Sequence, residues 1–274
     1  MSDPRPIGVF DSGLGGLTVV RELVRIMPGE SIVYLGDTAR VPYGNRSDET
    51  IRRYGDQDAR FLLSKDIKML IVACNTVSSV ALEHICSNIT DIPVIGVVVP
   101  GSRAAVTRTA KKKVGVIGTQ ATIRAGAYAA TIGTMNADIK VFGKACPLFV
   151  PLVEEGMARH DIARQTAQYY LYELVDSGID CLILGCTHYP LLMEVIQETV
   201  GTGIQLLDSA LWTAREAFDI LKALGALTER KEGGLAQSAF HVTDLSARFE
   251  ELASRFLRME LPEVQHVPLE VLAS

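Results

Sequence analysis

Short apolar runs alternate with stretches of helical periodicity along most of this 274-residue chain. Residues 7–10, 31–35 and 69–73 have the length and composition of buried strands, and apolar residues then recur every three or four positions. Such alternation is typical of parallel sheets flanked by helices. The chain is therefore predicted to have an α/β fold, in which ligands bind beyond the carboxyl ends of the strands.

The second half of the chain repeats the pattern of the first. Residues 114–119 echo residues 7–12 at an offset of 107 (115 minus 8), and Cys186 follows Cys74 by 112 residues (186 minus 74). Short βα units look alike by chance, but matched cysteines at nearly the same offset favour an internal duplication. We therefore expect two pseudo-symmetric lobes, each a mostly parallel sheet flanked by helices, with the active site between them.

Local patterns predict several further elements. A strand over 91–98 is expected to lead into a crossing between the lobes at 99–101, and residues 147–151, bounded by prolines, are expected to be irregular. One strongly amphipathic helix is predicted, and its apolar stripe consists of Ile162, Ala163, Thr166, Ala167, Tyr170, Leu171, Leu174 and Val175.

Cys74 and Cys186 each stand where a strand-like run gives way to a helix. Free backbone N–H groups and the helix dipole at such a turn favour negative charge, which is the setting in which a thiolate becomes accessible. Asp11, at the end of the first strand, is the candidate acid–base partner of Cys74. His188 and Glu154 are the candidates for Cys186.

Three chemistries use cysteines in such positions. A thiol nucleophile paired with His188 would explain Cys186 and leave Cys74 without a role. A disulfide switch between the two would need Cα atoms within about 7 Å, which leaves no room for a ligand. A racemase needs one acid–base group on each face of a stereocentre, and two like groups from two like lobes meet that need.

Composition and spacing exclude other classes of function. A net charge of −5 provides no basic field for nucleic acid, and no apolar run approaches the ~20 residues of a membrane span. The spacing of Cys181, Cys186 and His188 is unlike that of structural zinc sites, so no metal is expected. Cys86 and Cys146 are expected to be passive packing thiols. Five cysteines, an odd and sparse set, predict reduced thiols and a cytoplasmic protein.

Four motifs together resemble the glutamate racemases of the cofactor-independent aspartate/glutamate racemase superfamily. They occur in the expected order between the first strand and Pro190. The resemblance implies interconversion of L- and D-glutamate without a cofactor, which supplies D-glutamate for bacterial peptidoglycan. The motifs are Phe10-Asp11-Ser12-Gly13-Leu14-Gly15-Gly16-Leu17-Thr18-Val19, Gly36-Asp37-Thr38-Ala39-Arg40-Val41-Pro42-Tyr43-Gly44, Ala73-Cys74-Asn75-Thr76 and Gly185-Cys186-Thr187-His188-Tyr189-Pro190.

The resemblance also implies residue roles and a domain division. Cys74 and Cys186 are implied to be the two acid–base residues. The chain from about residue 208 is implied to return to the first lobe, so that the domains are 1–98 plus 208–274 and 99–207. Glutamate is the implied small-molecule partner, and a homodimer is a possible assembly. The implied substrate-binding residues are Asp11, Ser12, Pro42, Tyr43, Gly44, Asn75, Thr76, Thr187 and His188.

Two rival functions remain open at the level of sequence. Aspartate racemases share the general pattern, but they tend to carry glutamate after the Cys-Thr pair where this chain has His188. A two-lobed amino-acid-binding protein without turnover would use the same cleft. The C-terminal segment carries no motif, and its predicted elements are a strand near 240–242, a helix over 245–257 and an extended piece over 264–269.

Overall fold

The computed structural model describes residues 2–245, 249–261 and 263–273, which form two parallel sheets covered by helices. The strands are β1 (Ile7–Asp11), β2 (Ile32–Gly36), β3 (Met69–Val72), β4 (Val94–Gly96), β5 (Lys113–Gly118), β6 (Lys140–Ala145), β7 (Cys181–Gly185), β8 (Gln205–Asp208), β9 (Ala239–Val242) and β10 (Val264–His266). The helices are α1 (Leu17–Ile26), α2 (Asp48–Leu63), α3 (Asn75–Val80), α4 (Leu82–Asn88), α5 (Val98–Arg108), α6 (Gln120–Ala125), α7 (Ala127–Met135), α8 (Phe149–Glu154), α9 (Asp161–Asp176), α10 (Met193–Val200), α11 (Ser209–Ala223), α12 (Phe249–Leu257) and α13 (Leu269–Ala273).

The two sheets repeat one strand order. The larger sheet runs β10-β9-β2-β1-β3-β4 and the smaller one runs β6-β5-β7-β8. Strand β1 pairs with β2 and β3 as β5 pairs with β6 and β7, and every pairing is parallel. The predicted α/β fold with two pseudo-symmetric lobes is therefore confirmed, and each central strand is buried on both faces by helices.

The C-terminal segment completes the first sheet. Strand β9 pairs with β2, and β10 extends the edge beyond β9. Helix α11 packs against both α1 and α5, and α12 also packs against α1. The predicted domain division, 1–98 plus 208–274 and 99–207, stays a prediction. In the described ranges, no helix is long and apolar enough to cross a bilayer.

Two sequence expectations fail at prolines. The strand predicted over 91–98 spans only Val94–Gly96, and α5 begins at Val98 with Pro100 as its third residue. The segment 147–151, expected to be irregular, contains the start of α8, with Pro151 as its third residue. Proline is tolerated in a first helical turn because the N–H groups there have no intrahelical acceptor. Both prolines therefore mark helix starts.

Other elements differ from expectation at their margins. The helix expected to follow Cys74 is two short helices, α3 and α4, that meet at Ala81. In α9, Ile162 and Val175 are 46% and 38% exposed, because they flank the buried face rather than belong to it. Of the predicted helix 245–257, residues 246–248 lie outside the described ranges, and α12 accounts for 249–257. The predicted extended piece 264–269 ends at residue 266, and α13 follows from residue 269.

A buried ion pair fastens the base of the first lobe. Lys68 Nζ lies 2.6 Å from Glu30 Oε2, with the two side chains 1% and 3% exposed. The same ammonium group donates to the backbone oxygen of Asp3 at 2.7 Å and to that of Ala226 at 2.8 Å. One cation thus joins the N-terminal segment, the strand region and the chain beyond α11.

Replacement of Lys68 by methionine should destabilise the protein by about 3–5 kcal/mol, because it leaves the Glu30 carboxylate buried without its counter-charge. Urea unfolding provides the measurement. The matched control is Lys112→Met, since Lys112 forms a 2.7 Å pair with Asp138 while 54% and 71% of the two side chains are exposed. The control substitution should lower the free energy of unfolding by less than about 1 kcal/mol. Equal losses of unfolding free energy in the two variants would contradict the role given to the buried pair of Lys68 and Glu30.

Candidate active site

The carboxyl ends of the central strands of both sheets meet at one cleft. Asp11 is the last residue of β1, Cys74 is the second residue after β3, and Cys186 directly follows β7. Thr187 Oγ1 approaches Asp11 Oδ1 to 3.5 Å across the two lobes. The structure therefore brings together the cysteines and the acid–base candidates that the sequence predicted.

Cys74 is a buried, protonated thiol. Its Sγ donates to Ser12 Oγ at 3.4 Å, and 4% of the residue is exposed. Burial raises the pKa of Cys74 to about 12, and the negative charge of Asp11 adds to the increase. The hydrogen-bonding partner of this thiol is thus Ser12, while the predicted partner Asp11 acts on it through its charge.

Asp11 lies between the lobes with no solvent exposure. Its Oδ2 accepts from the backbone N–H of Gly13 at 3.1 Å, and its Oδ1 faces Thr187. Burial raises the pKa of Asp11, whereas the positive charge of His188 opposes that increase. The carboxyl group therefore links the first strand of one lobe to the second cysteine loop.

His188 lies between the second thiol and a carboxylate. Its Nδ1 is 4.0 Å from Cys186 Sγ, and its Nε2 is 3.1 Å from Glu154 Oε1. Burial alone lowers the pKa of His188, but the contacts with Cys186 and Glu154 outweigh it and raise the pKa to about 10. The Phe256 ring packs against the imidazole in a T-shaped arrangement, with the ring centroids 5.0 Å apart. An imidazolium at neutral pH is thus available to exchange a proton with Cys186.

A glycine permits this contact between the lobes. A Cβ atom on Gly15 would lie 2.1 Å from Thr187 Oγ1 and 2.7 Å from His188 Nδ1. No side chain can occupy that space while the two loops remain in place. Gly15, within the first motif, is therefore a requirement of the closed cleft.

A cluster of polar groups follows Cys74. Asn75 Oδ1 accepts from the Tyr128 hydroxyl at 2.6 Å, and Asn75 Nδ2 is buried with no hydrogen-bond partner among the described residues. Thr76 Oγ1 lies 2.9 Å from Thr119 Oγ1, which lies 3.0 Å from Thr122 Oγ1. An unpaired amide donor beside three hydroxyl groups suits a ligand carboxylate.

Three of these residues, Tyr128, Thr119 and Thr122, were absent from the predicted site. Helices α6 and α7, which carry Thr122 and Tyr128, were not predicted, so neither residue had a local signal. Thr119 did have one. The internal repeat aligns residues 114–119 with 7–12, which places Thr119 at the position of Ser12.

The predicted contributions of Pro42, Tyr43 and Gly44 differ from one another. Pro42 is exposed, whereas Tyr43 is buried and directs its hydroxyl group away to Asp37 and Asp58. A Cβ atom on Gly44 would lie 2.7 Å from Thr119 Cβ, so the backbone of this turn abuts the second lobe. Tyr43 therefore anchors the turn, and only backbone atoms of Tyr43 and Gly44 remain for a ligand.

The anchor is a buried network around Arg40. Its guanidinium group lies 2.5 Å from Asp37 Oδ2 and 3.0 Å from Asp58 Oδ1. The Tyr43 hydroxyl has one hydrogen, which it donates to Asp37, so its 3.1 Å contact with Asp58 Oδ2 is best satisfied when Asp58 carries a proton. Burial raises the pKa of Asp58 well above 3.8, and the nearby Asp37 adds to the increase. Thr243, beyond β9, donates to Asp37 Oδ1 at 2.9 Å.

The remaining cysteines lie outside this constellation. Cys86 is exposed, Cys181 is buried at the start of β7, and Cys146 Sγ lies 3.6 Å from the backbone oxygen of Lys144. All five cysteines fall in the described part of the chain and are free. Within the same part, no group of three or more His, Cys, Asp or Glu side chains could hold a metal ion.

A cavity of about 200 Å³ opens beside the cleft. Glu154 and Phe256 lie on its wall, so the pair of Glu154 and His188 stands between the cavity and Cys186. The other residues that line it are Gly13, Leu14, Thr38, Val41, Asp244, Phe249 and Leu252.

The chain is similar over nearly its whole length to curated racemases. A family model described as Asp/Glu/Hydantoin racemase matches residues 7–217. The glutamate racemase of Geobacter metallireducens is 48% identical over 266 residues, which cover 97% of each chain. The glutamate racemase of Chlorobaculum tepidum is 46% identical over 267 residues, again 97% of each chain.

Solved structures give the same result. A glutamate racemase from Francisella tularensis in complex with D-glutamate matches with a TM-score of 0.92 at 38% identity, over 98% of this chain and 99% of that one. One from Bacillus anthracis matches with a TM-score of 0.92 at 39% identity, over 97% and 98%. An aspartate racemase of Picrophilus torridus is 18% identical with a TM-score of 0.55, over 80% and 94%, and shares the fold alone.

The Glu154→Gln variant should lower the pKa of His188 by about one pH unit or more, because it removes the negative charge that faces Nε2. Titration of the imidazole resonances by NMR measures this change. The other four histidines, His84, His160, His241 and His266, serve as internal controls in the same spectra. An unchanged His188 titration would contradict the electrostatic role of Glu154.

Asp58→Asn should make folding less dependent on pH. The raised pKa keeps Asp58 protonated in the folded state, while the unfolded chain ionises near the ordinary value of 3.8. The contribution of Asp58 to the stability of the unaltered protein therefore falls as pH rises above about 4, whereas the asparagine of the variant, whose amide donates as the carboxylic acid did, does not titrate.

Urea unfolding at pH 4.5 and pH 7.5 compares the two proteins, and the difference in favour of the variant should grow with pH. A difference independent of pH would contradict a protonated Asp58. Asp37→Asn provides the contrast, because it replaces the acceptor used by Tyr43, Thr243 and Arg40 and should destabilise the protein at both pH values.

Proposed function

This chain is a member of the glutamate racemase family within the Asp/Glu/Hydantoin racemases, and we propose that it interconverts L-glutamate and D-glutamate without a cofactor. The observation that carries the proposal is the pair of buried cysteines at equivalent strand ends, Cys74 after β3 and Cys186 after β7. The two lobes present these thiols to one cleft. The amino acid bound between them would lose its α-proton to a thiolate on one face, and the planar carbanion so formed would gain a proton from the thiol on the other face.

The surroundings of the two thiols differ in charge, which suits opposite tasks. Cys74 stands beside the carboxyl group of Asp11 and keeps its proton, so it is the group that delivers a proton to the carbanion in one direction. Cys186 stands beside the His188 imidazolium, which provides a proton reserve for that sulfur. In the reverse direction the two thiols exchange roles, as microscopic reversibility requires.

Polar groups around the thiols would hold the substrate. The buried Nδ2 of Asn75, the hydroxyls of Ser12, Thr76 and Thr187, and the backbone at Gly44 offer donors for two carboxylates. As the α-proton leaves, negative charge moves onto the α-carboxylate, so donors fixed there stabilise the transition state more than the ground state. Pro42 and Tyr43 would contribute through the position of their turn.

The names of the relatives favour glutamate over aspartate. Glutamate racemases match at 42–48% identity, whereas the aspartate racemase of Picrophilus torridus shares the fold at 18%. The D-glutamate formed would serve bacterial peptidoglycan synthesis in the cytoplasm. Assembly as a homodimer stays a prediction.

Purified protein incubated with D-glutamate in deuterated water, without added cofactor, tests the proposal. We expect racemisation with deuterium incorporated at Cα. Binding without exchange would identify an amino-acid-binding protein instead, and exchange with aspartate alone would identify the related activity.

Cys74→Ser and Cys186→Ser should each lower kcat by about a hundredfold or more, because a hydroxyl group is a far weaker acid–base group than a thiol. The exposed Cys86→Ser and the buried Cys181→Ser are the matched controls and should retain activity. A loss confined to one of the two cleft cysteines would overturn the two-base assignment.

A further inference from the structure

Of the two polar atoms of the Asn75 side chain, one has a hydrogen-bond partner among the described residues and the other has none. Its Oδ1 accepts from the Tyr128 hydroxyl at 2.6 Å, while its buried Nδ2 has no partner among the residues that the structure describes. Asn75 itself is 2% exposed. A buried donor without an acceptor loses its hydration without compensation, so this arrangement makes sense where a ligand supplies the acceptor.

Tyr128 determines which end of that amide faces the cleft. An asparagine amide can turn by 180° and exchange its donor for its acceptor. In the turned state the Tyr128 hydroxyl would lose its 2.6 Å contact with Oδ1 and would have to donate to the neighbouring Ser209 instead, and an oxygen would face any incoming carboxylate. The hydroxyl group therefore selects the orientation in which Nδ2 is free to donate.

The Tyr128 ring is itself held in place by backbone. A Cβ atom on Gly101 would lie 3.3 Å from ring atom Cε1, and one on Gly185 would lie 3.4 Å from Cε2. Gly101 belongs to α5, where the chain crosses between lobes, and Gly185 directly precedes Cys186. Tyr128 on α7 of the second lobe thus contacts the loop of one cysteine and hydrogen-bonds the residue after the other.

We propose that Tyr128 is a positioning residue for the reaction, which holds the Asn75 amide with Nδ2 directed at a carboxylate of the bound amino acid. The inference rests on the proposed racemase function and adds a residue from the second lobe to it. Tyr128 touches no reacting atom in this scheme. Its effect on turnover passes through Asn75.

A double-mutant cycle on kcat/KM for glutamate tests that path. Tyr128→Phe should lower kcat/KM about tenfold, and Asn75→Ala should lower it at least as much, in line with the loss of one oriented donor. Because Tyr128 acts through Asn75, the double variant should match Asn75→Ala within about twofold. The inference would be overturned if the two losses in kcat/KM multiplied in the double variant, or if Tyr128→Phe left kcat/KM unchanged.

Tyr170→Phe is the matched control. Tyr170 is also a buried tyrosine of the second lobe, and its hydroxyl accepts from the backbone N–H of Leu148 at 3.3 Å. Removal of the Tyr170 hydroxyl group should lower stability about as much as Tyr128→Phe does, and it should leave kcat/KM unchanged. An equal kinetic loss in both variants would assign Tyr128 a structural role only, against the proposal.

A second measurement needs no substitution. Saturation of the unaltered protein with glutamate should shift the side-chain amide proton resonances of Asn75 and leave those of Asn136 in place. Absence of a shift on binding would overturn the inference. If the unaltered protein binds glutamate and does not racemise it, the proposed function fails, and the resonance shift still decides the role of the amide.

Discussion

The close approach of two loops across the lobes underlies the whole site. Gly15 leaves space for Thr187 and His188, and Thr187 in turn reaches Asp11, a fully buried residue. Contacts of this kind require the carboxyl ends of two parallel sheets to face each other, which the repeated strand order provides. The polar groups at this contact are therefore shielded from bulk solvent. Their electrostatic interactions are accordingly stronger than they would be in water.

Backbone symmetry and electrostatic asymmetry coexist in this cleft. The two cysteines occupy equivalent strand ends, yet Cys74 stands beside a carboxyl group and Cys186 beside an imidazolium. A racemase handles two nearly isoenergetic enantiomers, so each of its two acid–base groups must be able to contact Cα from its own side. Their surroundings need not be equal. The repeated strand order supplies this access, and residues that differ between the two cysteine loops, such as His188, supply the different surroundings.

Sequence periodicity predicted the α/β class and most of the strands, and the internal repeat predicted two lobes with a cysteine at a strand end in each. Periodicity failed at Pro100 and Pro151, where proline marks a helix start instead of a break. It also missed Tyr128, whose role depends on packing against glycines that are distant in the chain. Motif matching implied that Tyr43 binds the substrate and gave no indication that its hydroxyl group points toward Asp37, since side-chain direction is set by tertiary contacts.

The position of β9 has a consequence for the order of synthesis. The second sheet is built from one continuous stretch, whereas the first sheet places β9, from near the end of the chain, beside β2. On the ribosome, the second lobe has all its strands before the first lobe can close. The turn at Tyr43 is anchored through Asp37, which Thr243 contacts only after that late strand is in place. A nascent chain would therefore carry both thiols well before it could hold a substrate between them.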